Sequence, residues 1–185
     1  MGLRRTTPPS AEPVSLAEAK LHLRVDHDDE DALISALISA ARVDCEERLQ
    51  RTLVTTGWTW TLDSFCGDGF VPRPPLVAVA GIRYFDASGA ARDIPPEEYR
   101  ADTSSDPGRI EPVSSWPATQ DRLAAVTVEF SAGYGAPADV PAPIRQWVLL
   151  AIGDMYANRE RSADRPCVPQ SFADGLLDPY KVWPA

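Results

Sequence analysis

Apolar residues recur at helical spacing in three segments of the chain, and each segment predicts an α-helix. Ser15 and Glu18 have the spacing of a capping box, which predicts a short helix that ends near Leu23. Longer helices are predicted over 28–51 and over 143–161, the latter opening on prolines that suit a first turn. The apolar stripe of the 28–51 helix comprises Leu33, Ile34, Leu37, Ile38, Ala41 and Cys45.

Between the two longer helices the period of the apolar pattern changes to two. Trp58, Trp60 and Leu62 alternate with polar residues, which predicts a half-buried strand. Further strands are predicted over 77–86, 91–94 and 126–131, with weaker ones at Tyr99 and Ile110. The predicted fold class is therefore α+β: a helical bundle body of two N-terminal helices and one long C-terminal helix, an inserted small antiparallel β region, and an extended C-terminal tail.

The same pattern divides the chain into segments. Residues 1–13 contain three prolines and no periodicity, so we expect an extended N-terminal arm that is frayed or ordered against a partner. The helical body takes in 14–56 and 140–162, and the β-rich insertion is 57–139. Residues 163–185 form a C-terminal turn and tail, rich in apolar and aromatic side chains. This tail is predicted either to anchor an interface or to fold back on its own subunit.

Composition narrows the classes of function. The formal net charge is −9 and the pI is near 4.7, so the chain has no global attraction for a phosphate backbone. Its three cysteines are far apart and form no CxxC pair, which argues against a disulfide framework or a zinc knuckle. Neither a signal peptide nor a membrane span is expected, because no apolar stretch is long enough.

The acidic run 26–31, with His22 and His27 close by, is the best candidate for a metal site. On a helix, however, Asp28 and Asp31 share a face whereas Asp28 and Asp29 diverge. Carboxylates at the start of a helix are stabilised by the helix dipole. The run is therefore interpreted as a solvated helix N-terminus instead of a metal site. No nucleophile motif or phosphate loop is present, so we assign no catalytic, cofactor-binding or metal residues and expect no enzyme. The alternative in that class is a metal-assisted hydrolase that uses this run.

The succession of segments resembles that of the phage head–tail connector (adaptor) family, found in long-tailed phages and gene transfer agents. The resemblance begins with PVSLAEAKLHLRVDHDDEDALISALISAARVDCEERLQRTLV and covers nearly the whole chain. Its strength lies in the order of the pieces, since none of them is a chemical motif. The later pieces are TWTLDSF, PPLVAVAGIRYFD, YRADTSSDPGRIEP, VTVEFSAGYG, VPAPIRQWVLLAIGDMYANRE and LLDPYKVW.

This resemblance implies a structural subunit that forms a ring, commonly of twelve copies, below the portal of the capsid. The ring would continue the DNA channel from capsid to tail without binding DNA specifically. The implied partners are the portal protein, tail-side neck, stopper or tail-terminator proteins, and further copies of the chain, with no membrane. The implied location is the particle neck, after assembly in the bacterial cytoplasm. Another neck or tail-terminator structural protein is the alternative.

The resemblance also implies roles for particular residues. The helices over 28–51 and 143–161 would supply the contacts between subunits, and opposite charges at the two ends of the first of them are hypothesised to complement each other. These subunit-interface candidates are Asp28, Asp29, Asp31, Arg42, Arg48 and Arg51. The implied portal contacts in the tail are Phe172, Leu176, Leu177, Tyr180, Val182 and Trp183.

Overall fold

The computed structural model describes residues 1–65, 69–158 and 171–182. Within these residues the fold is α+β, as predicted, with antiparallel strands and four α-helices. The chain divides into two compact units, each built from segments that are distant in sequence. A sheet unit comprises 1–10 and 55–134, and a helical unit comprises 11–54 and 135–185.

The sheet unit contains seven strands among its described residues. Five of them form one antiparallel sheet in the order β1-β2-β7-β3-β4, and β5 pairs with β6 in a separate hairpin. The predicted period-two segments correspond closely to these strands. Their bounds are β1 Gly2–Thr7, β2 Thr56–Leu62, β3 Leu76–Phe85, β4 Ala91–Asp93, β5 Tyr99–Asp102, β6 Arg109–Pro112 and β7 Val126–Ala132.

One face of the sheet forms the core of this unit. In β7, Val126, Val128 and Phe130 are buried, and the intervening side chains point to the opposite face, because successive residues of a strand alternate. The ring of Phe65 stacks on Trp116, with 4.5 Å between centroids and 6° between planes. The core is therefore closed by an aromatic pair that lies outside the main strands.

The N-terminal arm is extended, as predicted, but it is paired within its own unit. β1 lies antiparallel to β2, with Leu3 opposite Trp60 and Arg5 opposite Trp58. The guanidinium of Arg5 lies 4.8 Å from the centre of the Trp58 ring. The arm is thus an edge strand of the sheet. It is held by backbone pairing with β2, although its own residues show no strand pattern.

The helical unit contains four helices in its described part, α1 Leu16–Leu23, α2 Asp31–Leu49, α3 Ala142–Ala157 and α4 Ser171–Gly175. The predicted capping box is present: Ser15 Oγ accepts from the Glu18 amide at 3.2 Å, and the Ser15 amide donates to Glu18 Oε2 at 2.9 Å. A one-turn 3-10 helix, Asp178–Tyr180, follows α4.

The second predicted helix is shorter than 28–51. α2 begins at Asp31 and ends at Leu49, because Gln50 adopts a left-handed backbone with φ of 54°. Asp28 and Asp29 therefore precede the helix instead of lying in its first turn. The third helix ends at Ala157, and the predicted end at residue 161 lies outside the described residues.

The core of the helical unit joins α1, α2 and α3, which contact one another pairwise. α2 contributes Ile34, Ile38, Ala41, Cys45 and Leu49, all buried. α3 contributes Ile144, Trp147, Val148 and Ile152. Among the described residues, no helix is both long enough and apolar enough to cross a membrane.

Candidate interaction surfaces

The acidic run before α2 is bound by a lysine of the same unit. Lys20 Nζ lies 2.6 Å from Asp28 Oδ1 and 2.7 Å from Asp31 Oδ1, so one ammonium serves both carboxylates. The hydrogen bond from Lys20 lowers the pKa of the Asp28 carboxyl, and its bonds to Asp28 and Asp31 raise the pKa of Lys20. Asp29 is exposed, with its carboxylate 3.8 Å from His27 Nδ1.

This arrangement gives no support to a metal site. Among the described residues, no group of three or more His, Cys, Asp or Glu side chains could hold a metal ion. A hard cation needs several converging oxygens, and the two carboxylates that do converge already share Lys20. The run therefore acts as an ion-paired entry to α2, in which Asp26, Asp28 and Asp29 remain exposed.

The three arginines of α2 and its C-terminal end have different surroundings. Arg42 is buried and binds Glu12 and Glu46, so it is not available to a neighbouring molecule in this conformation. Arg51 is also buried and donates from Nε to the Tyr180 carbonyl oxygen. Of the three, only Arg48 is half-exposed. Arg48 is therefore the one arginine among them that could make the predicted charge contact between subunits.

Arg48 itself has partners within the helical unit. Its Nε lies 3.0 Å from Asp44 Oδ2 and its Nη1 lies 3.6 Å from Asp174 Oδ1. Its guanidinium also lies 5.4 Å from the centre of the Trp147 ring. Surface ion pairs of this kind contribute little to stability, so these contacts hold Arg48 only weakly.

The described part of the tail folds back on the helical unit. Leu177 is 1% exposed, so its side chain belongs to the core and is not presented to another protein. The Val182 amide donates to the Leu49 carbonyl at 3.3 Å, which ties the tail to the end of α2. Leu176, Tyr180 and Val182 are partly exposed. The side chain of Phe172 and the whole of Trp183 lie outside the described residues.

α2 carries a second apolar face that no described element of the helical unit covers. Leu33 is 38% and Val43 is 47% exposed. Together with the exposed Ala36 and Ala40 and the partly buried Leu37, they form what we call the α2 stripe. Spacings of three and four place these residues on one side of the helix.

The sequence pattern assigned Leu33 and Leu37 to the same apolar stripe as Ile34 and Ile38, but Leu33 is exposed. The apolar positions of α2 are too many for one face, so they form two faces, of which one is buried against α1 and α3. In the sequence, the spacing of Leu33, Ala36, Leu37, Ala40 and Val43 also indicates this second apolar face. The two alanines make the pattern hard to recognise.

Comparison with known proteins gives a consistent result. The model of a protein family described as "Phage gp6-like head-tail connector protein" matches residues 13–82, which contain α1, α2 and β2 and extend into β3. The predicted resemblance to the head–tail connector family is therefore confirmed over this segment. No curated protein matches the chain.

Solved structures extend the likeness of the fold to the whole chain. A chain of the "Neck of empty GTA particle computed with C6 symmetry" is similar with a TM-score of 0.83 and 23% identity, over 100% of this chain and 97% of that one. A chain of the "Virion of native gene transfer agent (GTA) particle" has a TM-score of 0.82 and 23% identity with the same coverage. A third, from the "Neck of native GTA particle computed with C12 symmetry", has a TM-score of 0.78 and 24% identity, again over 100% and 97%.

Proposed function

We propose that this protein is a structural head–tail connector subunit, which forms a ring below the portal and continues the DNA channel from capsid to tail. The observation that carries the proposal is the match of residues 13–82 to the connector family. The fold supports it, because the similarity to chains of gene transfer agent particles extends over the entire length. The role is structural, and no enzymatic step is assigned to it.

The helical unit supplies the body of the ring as a bundle of α1, α2 and α3. A closed ring needs a heterologous interface, in which one surface of each subunit contacts a different surface of its neighbour. The α2 stripe suits such an interface, because its alanines permit close approach while Leu33 and Val43 add apolar area. The twelvefold symmetry used for one similar neck supports a ring of twelve copies.

The charge of the chain fits a conduit for DNA. Each subunit has a formal net charge of −9, so a ring multiplies that charge around the channel. Negative walls repel the phosphate backbone and keep a passing duplex from adhering, since non-specific binding depends on lysines and arginines that displace counterions. We therefore propose that DNA passes through the channel without being bound by this protein.

The tail would meet the portal protein, and the tail-side neck proteins would bind the opposite end of the ring. Leu176, Tyr180 and Val182 are partly exposed and can take part without rearrangement. Leu177 can take part only if the tail detaches from its own subunit. Phe172 and Trp183 remain predicted contacts from the family resemblance. The protein would act in the neck of a virion or phage-like particle, after assembly in the bacterial cytoplasm.

The ring interface can be tested with one charge. Ala40 lies in the α2 stripe between Leu37 and Val43 and is exposed, so Ala40→Glu should leave the fold intact and prevent ring formation. Ala17→Glu is the matched control, because Ala17 is an exposed alanine on α1. Native mass spectrometry and negative-stain imaging report the rings, and circular dichroism reports the fold. Rings of wild-type abundance in Ala40→Glu would exclude the α2 stripe as the interface.

The adaptor role itself is tested by particle assembly. Assembly with Ala40→Glu should yield filled capsids without attached tails, whereas assembly with Ala17→Glu should yield complete particles. A complete particle that lacks this chain, detected by mass spectrometry of purified necks, would contradict the proposed function.

A further inference from the structure

Besides the short edge strand β4, two stretches of the five-stranded sheet have a strand partner on one side only among the described residues. β1 pairs with β2 and with no other strand. β3 pairs with β7 along most of its length, but β4 reaches only its last three residues, 83–85. The carbonyl of Ile82 is taken by the Ile94 amide at 2.8 Å. Residues 77–81 therefore form an open edge of β3, similar in length to β1.

The open β3 edge lacks the charges and prolines that normally prevent strand association, although its pairing with β7 shifts register between Leu76 and Ala78 and between Val79 and Gly81. Its sequence is Val77, Ala78, Val79, Ala80 and Gly81, with no charge and no proline. Val77 is 45% exposed, and both alanines are exposed. Natural proteins protect edge strands with charges, prolines, bulges or covering elements, and an apolar edge without a covering element pairs readily with another chain.

The directions of the strands make β1 of another copy a suitable partner. β1 is antiparallel to β2, β2 to β7, and β7 to β3, so β1 and β3 run in opposite directions within one sheet. If the sheet continues from one copy into the next, the incoming β1 meets the open β3 edge in antiparallel orientation. That is the more stable of the two pairing modes per residue.

Charge and space at the two edges are complementary. Arg4 is opposite Thr59, Thr59 is opposite Glu129, and Glu129 is opposite Gly81, so Arg4 and Glu129 stand on the same face. Both are exposed, and neither has an ion-pair partner among the described residues. A groove of about 340 Å³ beside the open β3 edge is lined by Gly81 and Glu129. A Cβ at Gly81 would meet no atom within 4 Å, which leaves space for an incoming arginine.

We infer that β1 of one copy adds to the open β3 edge of the neighbouring copy, with Arg4 approaching Glu129. The inference rests on the proposed ring and adds a second subunit contact, in the sheet unit, to the one made by the α2 stripe. It is a heterologous contact, since the two edges are different surfaces, and it is therefore compatible with a closed ring. Adjacent sheets would join into a continuous belt of strands.

Disulfide trapping tests this pairing directly. In a background with Cys66→Ser and Cys167→Ser and with the buried Cys45 retained, Arg4→Cys is combined with Gly81→Cys. Within one copy the two positions are three strand spacings apart, roughly 14 Å, which is too far for a disulfide. Any disulfide between them therefore joins two copies. In assembled rings we expect a ladder of linked multimers on non-reducing gels, and no ladder from either single variant.

The outcomes separate this inference from the proposed function. Rings seen by native mass spectrometry without a ladder would overturn the strand pairing and leave the connector role intact. A chain that stays monomeric under all assembly conditions would overturn both. Dimers from Arg4→Cys alone would also overturn the inference, because they indicate that two β1 strands pair about a twofold axis.

A charge exchange tests the placement of the arginine. Arg4→Glu and Glu129→Arg should each weaken ring assembly about threefold, and the double variant should recover the wild-type level. Ring yield against protein concentration is the measurement. A double variant that assembles no better than the single ones would overturn the approach of Arg4 to Glu129.

Discussion

The guanidinium of Arg42 lies 2.9 Å from the carboxylate of Glu46, measured from Nη1 to Oε2, and both side chains are buried. Arg42 Nε also lies 2.7 Å from Glu12 Oε2, so one cation serves two carboxylates. The other oxygen of Glu46 accepts the Leu53 amide at 3.0 Å. The network joins the segment before α1, the helix α2 and the turn that follows it.

Loss of Arg42 should therefore destabilise the helical unit. Arg42→Ala leaves the Glu46 carboxylate buried without its cation, and we expect the free energy of unfolding to fall by about 3–5 kcal/mol. Arg48→Ala is the matched control on the same helix, with an expected loss of about 1 kcal/mol because Arg48 is half-exposed. Urea unfolding followed by circular dichroism measures both. Equal losses would contradict a special role for the buried network.

The capping box at Ser15 makes a smaller and separable contribution. Ser15→Ala removes the acceptor for the Glu18 amide, and we expect a loss of about 1 kcal/mol in the free energy of unfolding. Ser15→Thr, which retains a hydroxyl, should recover most of it. Ser35→Ala, at an exposed position within α2, should change the stability by less than about 0.5 kcal/mol. A loss at Ser35 as large as that at Ser15 would argue against the cap.

Acid should loosen the turn that follows β5. Hydrogen bonds from Ser104, at 2.6 Å from Oγ and 2.8 Å from the amide, and from Ser105 lower the pKa of the Asp102 carboxyl to about 2. Its folded-state pKa thus lies below the unfolded value of about 3.9. The resulting stabilisation is complete above about pH 4 and is lost as the pH falls toward 2.

Asp102→Asn should accordingly make the melting temperature less dependent on pH between about 2 and 4. Thermal melts across that range provide the measurement. Asp121→Asn is the control, since Asp121 is an exposed carboxylate with no hydrogen bond among the described residues. If Asp102→Asn and the wild-type protein lose stability in parallel, the source of the acid sensitivity lies elsewhere.

Cys45 should be chemically silent in the folded protein. Burial, followed by the nearby Glu46 and Asp44 carboxylates, raises the pKa of its thiol far above the ordinary value. Since the thiolate is the reactive form, we expect no labelling by a thiol reagent at pH 8 until the helical unit unfolds. The Cys66→Ser, Cys167→Ser background isolates this residue. Labelling of the native protein as fast as that of a free thiol would contradict the prediction.

The tail prediction concerns two adjacent leucines. Leu177→Ala removes a buried side chain from the helical unit and should lower the free energy of unfolding by about 2–5 kcal/mol. Leu176→Ala, at a partly exposed position, should have a smaller effect on stability and a larger effect on binding to a portal ring. Unfolding curves and co-sedimentation with purified portal rings separate the two. The opposite pattern would indicate that the tail leaves its own subunit before it binds.

The sequence by itself determined most of the helices and strands and indicated the likeness to a known family. The capping box at Ser15, the period-two pattern from Trp58 and the helical stripe from Ile144 are local signals, and each appears as an element with nearly the predicted bounds. Local signals suffice there because hydrogen bonds along a helix, and the alternation of a strand, depend on neighbouring residues. The order of the segments then carried the likeness to head–tail connectors.

Only the tertiary structure decided which surfaces are free. Arg42 and Arg48 look alike in sequence, yet Glu12, from a distant segment, buries the first and leaves the second half-exposed. Likewise, α2 has apolar residues on two faces, and the packing of α1 and α3 covers only one of them. The pairing of β1 with β2 could not be predicted from the sequence either, because strand pairing joins backbone groups far apart in the chain. Interfaces depend on what the fold leaves uncovered, and residue spacing alone does not contain that information.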